Sequence, residues 1–156
     1  MSSDVKLRFA HDDDLMKFEP LLDRGGGKGL WPRTDDRGQV IRSWDVHHQL
    51  AMNHLERMLR SSKEAPEVFE IGRLSLRSQE RLRECAACLA LHYLYVAADQ
   101  MGDENGYLAR KAEHYKQLAV QMYNAEALQL DYDVDNDGII NDTEKNQPFT
   151  KKFIRG

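Results

Sequence analysis

Apolar residues return every three or four positions along three long stretches of the chain, the spacing of amphipathic helices. From about Ser43 to Ser61 the recurring set is Trp44, Ala51, Leu55, Met58 and Leu59, with Ser43 placed to cap the first turn. From about Ser78 to Met101 the apolar face is Leu82, Cys85, Ala86, Leu89, Tyr93, Val96 and Ala97. From about Tyr107 to Leu130 the residues Leu108, Ala112, Tyr115, Ala119 and Met122 form a heptad-like seam, suited to antiparallel packing on the preceding helix. At about 1.5 Å per residue, each of these last two helices should run roughly 35 Å and form the body of a bundle.

A shorter helix is expected near the N-terminus. Asp12, Asp13 and Asp14 supply an N-cap and first-turn negative charge ahead of Leu15 and Phe18, and Pro20 limits it. Pro66 breaks the chain after the Ser43 helix, leaving Val68, Phe69, Ile71 and Leu74 as a short apolar connector. Residues Gly102 to Gly106 read as a turn. The stretch 23–43 has no period and is rich in glycine and charge. Gly25-Gly26-Gly27-Lys28-Gly29 superficially suggests a phosphate loop, but it lacks GK[ST], a preceding strand and a helix beginning at the lysine. A long surface loop is the reading, with Trp31 as a residue able to dock on a partner.

The chemistry concentrates between Asp133 and Glu144. DVDNDGIINDTE fits the calcium-loop pattern D-x-[DN]-x-[DN]-G-x5-E without a mismatch. Asp133, Asp135 and Asp137 occupy positions 1, 3 and 5, and Gly138 takes the sharp turn at 6. Ile139 offers a backbone carbonyl at 7, Asn141 a side chain or a held water at 9, and Glu144 a bidentate carboxylate at 12. Calcium, a hard and large cation, wants six to eight oxygens, which this alternation supplies. The preceding helix, taken to end at the loop, is expected to serve as the first helix of an EF-hand. Pro148 leaves barely one turn for a second. A lone loop without a full exiting helix suits a structural staple better than a calcium sensor. Beyond it, Phe149, Phe153 and Ile154 alternate with Lys151, Lys152 and Arg155, which reads as an interaction arm.

The 156 residues suit one domain, with 41% hydrophobic and 31% charged residues. The expected organisation is a helical domain over 1–147 and a C-terminal arm over 148–156. A net charge of −4 gives no general attraction to nucleic acid. No run is long enough to span a membrane and the first residues are not a signal peptide, so a soluble, intracellularly made protein is expected. His47, His48 and His54 lack an i,i+4 partner and read as surface or boundary residues. Cys85 and Cys88 are formally C-x-x-C but fall mid-helix on the apolar face, and read as core packers. Arg73, Arg77, Arg81 and Arg83, interspersed with Glu80 and Glu84, read as a solvated or interfacial face. No nucleophile–base pair or phosphate loop suggests an enzyme. The fold class is all-α: a small bundle of about four helices with a long N-terminal loop, an EF-hand-like loop and an extended C-terminal tail.

The order of features from about 40 to 145 resembles the head-to-tail connector (adaptor, or head-completion) proteins of tailed bacteriophages. The resemblance is carried by the Trp44-Asp45…Ala51…Leu55…Leu59 helix, the connector through Ile71 and Leu74, and the Leu82-to-Ala98 helix. The Lys111-Ala112…Tyr115 helix and the DxDxDG loop near the C-terminus complete it. It implies a ring of about twelve copies at the neck of the virion, formed in the host cytoplasm. C-terminal arms would reach the portal protein, tail or collar proteins would sit below, and DNA would only pass through the lumen. A calcium-binding regulatory module is the competing expectation.

Overall fold

The computed structural model of the chain describes residues 7–20, 22, 33–34, 37, 40–41, 44–62, 69–99, 106–127 and 129–145. Five α-helices, α1 (Asp12–Phe18), α2 (Asp45–Arg60), α3 (Leu76–Arg81), α4 (Arg83–Asp99) and α5 (Tyr107–Glu126), surround one core, so the fold is an all-α bundle. Two strands of two residues each, β1 (Arg33–Thr34) and β2 (Val40–Ile41), pair antiparallel within the stretch read as an irregular loop.

Helix α4 is the centre. Its residues from Cys85 through Leu91 are all buried, because α5 packs along one side, α2 along another and α1 closes a third. A helix enclosed in this way needs apolar residues all round rather than a stripe. Single-face reasoning therefore misplaced part of its surface. Ala97 is exposed, whereas Leu91, Leu94 and Tyr95, absent from the expected face, are buried. The expected start at Ser78 also moves. Ser75 caps α3, its side chain accepting the Ser78 N–H at 3.1 Å, and Ser78 itself is buried. The chain turns at Leu82 (φ −88°, ψ −1°) and runs on as α4, with Ala86 N–H donating to the Leu82 carbonyl at 2.9 Å.

Polar bonds fix the short α1 across the bundle. His11, not an aspartate, stands at its N-cap, and the His11 N–H donates to Asp14 at 2.8 Å. Asp14 is buried and receives Arg83 Nε at 2.9 Å, while the half-buried Arg83 also donates to the exposed Glu80 at 3.2 Å, so Arg83 bridges the core edge and the solvated face. Burial alone would raise the Asp14 pKa, but the bonds from Arg83, His11 and Lys17 outweigh it and hold it low. At the other end of α1, Glu19 accepts from Lys111 and Tyr115 of α5. Lys111 lies within 5.9 Å of the ring centroids of Tyr95, Tyr107 and Tyr115. Burial would raise Glu19 as well, and the Lys111 and Tyr115 bonds reverse it.

His48 is buried, contrary to the surface or boundary placement expected for it, and its Nε2 lies 2.8 Å from Asp12 Oδ1. Burial lowers its pKa and prevails over the carboxylate. Cys85 and Cys88 lie in the core as expected. Cys85 Sγ donates to the Ala119 carbonyl at 3.3 Å, and burial pushes both thiols up to about 12. Among the described residues no helix is long and apolar enough to cross a membrane.

Candidate metal centre

The acidic loop is reached by an extended segment, not by a helix. Helix α5 ends at Glu126, with Ala127 as its C-cap, so the expected helix-to-loop junction of an EF-hand is absent. Leu130 and Tyr132 are buried while Gln129 is exposed and Asp131 half-buried, the two-residue alternation of an extended chain. That extension is imposed from outside. Tyr132 bridges antiparallel to Leu74, Ser75 N–H donates to the Asp131 carbonyl at 2.9 Å, and Asp133 N–H donates to the Arg73 carbonyl at 3.0 Å. Asp131 N–H donates to Ser78 Oγ at 2.7 Å. The Tyr132 ring stacks on Phe69 at 5.2 Å and its hydroxyl accepts the Glu70 N–H at 3.1 Å. Arg73, in a 3-10 turn over Ile71–Arg73, donates Nε to the Asp133 carbonyl at 2.8 Å and Nη2 to that of Val134.

From Asp133 the chain curls on itself. Asn136 (φ +58°) and Gly138 (φ +81°) adopt left-handed conformations. A Cβ on Gly138 would meet nothing within 4 Å, so it is backbone conformation rather than space that calls for glycine there. The curl points amides at carboxylates. Asp133 accepts from Gly138 at 2.8 Å and from Asp137 at 3.3 Å, and Asp137 accepts from Ile139 at 2.8 Å. A 3-10 turn over Asp142–Glu144 then brings Glu144 back, where it is buried and accepts from Val134 and, at 3.2 Å, from Asn141. The Glu144 carbonyl accepts Tyr132 N–H at 3.0 Å, so the two ends of the loop are tied.

One carboxylate oxygen from each of Asp133, Asp135, Asp137 and Glu144 lies within 4.8 Å of the others. Asp133 and Glu144 are buried, Asp135 and Asp137 exposed, giving a cup that opens to water. The crowding shows in the proton affinities. Burial pushes Asp133 up, but the Gly138 and Asp137 amides and the bonds shared with Asp135 and Asp137 hold it below its ordinary 3.8. Sharing with Asp133, then burial and Asp137, raises Asp135. All-oxygen, anionic and open to solvent on one side, the cluster can hold a metal ion.

Of the six residues expected as ligands, the structure brings these four together. Asn141 turns its side-chain oxygen to Thr143, accepting its N–H at 3.1 Å and its hydroxyl at 2.6 Å. Ile139 has an exposed side chain. Trp31, Phe149, Lys151, Lys152, Phe153, Ile154 and Arg155, expected to bind partners, lie outside the described residues. Arg73, Ser75, Ser78 and Tyr132 were missed as supports of the loop. A bulky tyrosine directly before the first loop aspartate was a usable signal for an anchor, but nothing local singled out Arg73 among its neighbouring arginines. The chain matches no protein-family model, no curated protein and no solved structure.

Proposed function

We propose that this chain is a structural assembly protein, a head-to-tail connector of a tailed bacteriophage, in which a calcium ion staples the C-terminal end of the bundle. The observation that supports it is the placing of the carboxylate cup. Its entry is hydrogen-bonded to residues 73–78, and its last member, Glu144, lies four positions before the arm expected over 148–156. An ion bound there fixes the point and direction from which the C-terminal arm leaves the bundle. Calcium suits the cup because it accepts many oxygens in irregular geometry and retains waters, which the exposed side of the cup admits. Asp133, Asp135, Asp137 and Glu144 hold it, with the Ile139 carbonyl completing the shell and Asn141, whose side-chain oxygen already accepts twice from Thr143, contributing only through water.

The flanks of the loop count against a calcium sensor. A sensor works by swinging two helices about the ion. Here the loop is entered by an extended segment, and its own closing 3-10 turn ends at Glu144 with Lys145 already extended (φ −86°, ψ 150°). The ring, the portal partner and the place in the virion neck rest on the sequence resemblance. In this reading about twelve copies form the ring, Phe153 and Ile154 anchor the arm on the portal, and Lys151, Lys152 and Arg155 steer it to an acidic surface. The test is mass-spectrometric counting of the chain in purified particles and in isolated necks. About twelve copies per neck is the expected result. A chain missing from particles, or one that binds a soluble target only when calcium is added, would refute the reading.

A further inference from the structure

We infer that Arg73 is the positioning residue of the carboxylate cup, holding the loop in its ion-ready form before any ion arrives. The inference rests on the calcium reading of the loop. Three bonds join Arg73 to the two residues at which the cup begins. Its carbonyl accepts Asp133 N–H at 3.0 Å, its Nε reaches the Asp133 carbonyl at 2.8 Å, and Nη2 reaches the Val134 carbonyl. A guanidinium can span two consecutive carbonyls because its donors are fixed in one plane, which an ammonium cannot do. The stem has little freedom, since the guanidinium carbon stands 5.3 Å from the centre of the Tyr132 ring, itself stacked on Phe69. Val134 carries the effect into the site. While Arg73 holds its carbonyl, its N–H donates to the Glu144 carboxylate. Asp133 and Glu144, twelve-residue-loop positions 1 and 12, are thereby set relative to each other through one backbone unit.

Two effects of the positive charge oppose each other. Arg73 offsets the mutual repulsion of the carboxylates in the ion-free loop, and it repels an incoming cation. The repulsion is screened by water and salt and changes affinity only a few-fold. Residues that orient metal ligands from outside typically change affinity about 10- to 100-fold when removed. Orientation should therefore win, and loss of Arg73 should weaken binding despite removing a like charge.

The test compares the full chain with Arg73→Met, which keeps much of the stem but loses the fork, and Arg73→Lys, which keeps the charge and can reach one carbonyl. Calcium chloride is titrated calorimetrically, and amide exchange is followed in EDTA. The expected result is a dissociation constant about 10- to 100-fold higher for Arg73→Met, a smaller rise for Arg73→Lys, and a helical melt in EDTA within a few degrees of the parent. The amides of Asp133 and Val134 should exchange faster in both variants without calcium, while those of α4 should not. A merely structural role would lower the melting temperature and leave the affinity of the folded fraction unchanged. Affinity within twofold of the parent in a folded variant overturns the inference. If the parent itself takes up no calcium, the calcium reading of the loop fails. Exchange in EDTA still decides on Arg73: unchanged protection of Asp133 and Val134 overturns its role, and faster exchange upholds it.

Discussion

Replacing Glu144 by Gln separates the loop's contribution to the ion-free fold from its contribution to ion binding. Glu144 is 3% exposed, and its carboxylate accepts from Val134 and Asn141. Glutamine has the same shape but one acceptor oxygen, so one of those amides would face an NH₂ group. Leaving a buried donor without an acceptor costs about 1–3 kcal/mol. Removing one of four crowded negative charges recovers part of that, so the ion-free variant should melt at or a few degrees below the parent. With calcium the two should diverge. For a dissociation constant near 10⁻⁵ M, millimolar calcium is about 100 times that constant and stabilises the parent by about 2.7 kcal/mol. In a domain of this size each kcal/mol moves the melting temperature by about 2–4 °C, so the parent should gain roughly 5–11 °C. Glu144→Gln loses the bidentate ligand and should gain less than about 2 °C. Circular dichroism melts in EDTA and in 1 mM calcium chloride read both quantities. An equal calcium shift in parent and variant would refute the assignment of Glu144 as a ligand, and no shift in either would refute the calcium site.

At pH 8 the Cys85 and Cys88 thiols, raised to about 12, should be ionised in about one molecule in ten thousand, so a thiol reagent should modify them only after denaturant is added; rapid labelling of the native protein would contradict their burial. The Glu19–Lys111 pair should set a pH window. Glu19 is depressed below its ordinary 4.5, so its contribution is complete above that value and lost as pH falls through the lower folded-state pKa. Lys111 is raised above 10.5, burial being outweighed by Glu19 first and the Tyr107 contacts next, so its contribution is complete below that value and lost as pH rises through the higher folded-state pKa. Chemical denaturation across pH should show Glu19→Gln flattening the acid limb of the stability curve, and an unchanged limb would refute this. If the proposed connector role is right, truncation after Gln147 should leave the melting temperature of the remaining chain nearly unchanged and abolish capture by purified portal protein. A collapsed melting temperature would instead make the tail part of the core.

The sequence by itself was enough for the class of fold and for the four carboxylates. Periodicity marks helices because a bundle must bury one stripe of each, and Ala51, Leu55 and Leu59 on α2 and Ala112, Tyr115 and Ala119 on α5 obey that rule. The acidic pattern is legible for a related reason. Alternate aspartates, a glycine in the left-handed region and a glutamate at the twelfth position are all local along the chain, so their spacing marks them as one cluster. Tertiary structure decided the rest. α4 is enclosed on several sides, which no count of its own residues reveals, so its single-face reading placed Ala97 inside and omitted Leu91 and Leu94. The polar bonds that fix α1, Asp14 to Arg83 and Glu19 to Lys111, join residues 69 and 92 positions apart. The end of α5 was misplaced because apolar spacing runs on to Leu130, whereas the helix ends at Glu126 and the pairing of Tyr132 with Leu74 and of Asp131 with Ser75 holds the chain extended ahead of the loop. Arg73 stayed hidden for the same reason. What distinguishes it from Arg77 and Arg81 is the backbone of Asp133 and Val134 lying across it, a relation created only when residues some 60 positions apart meet.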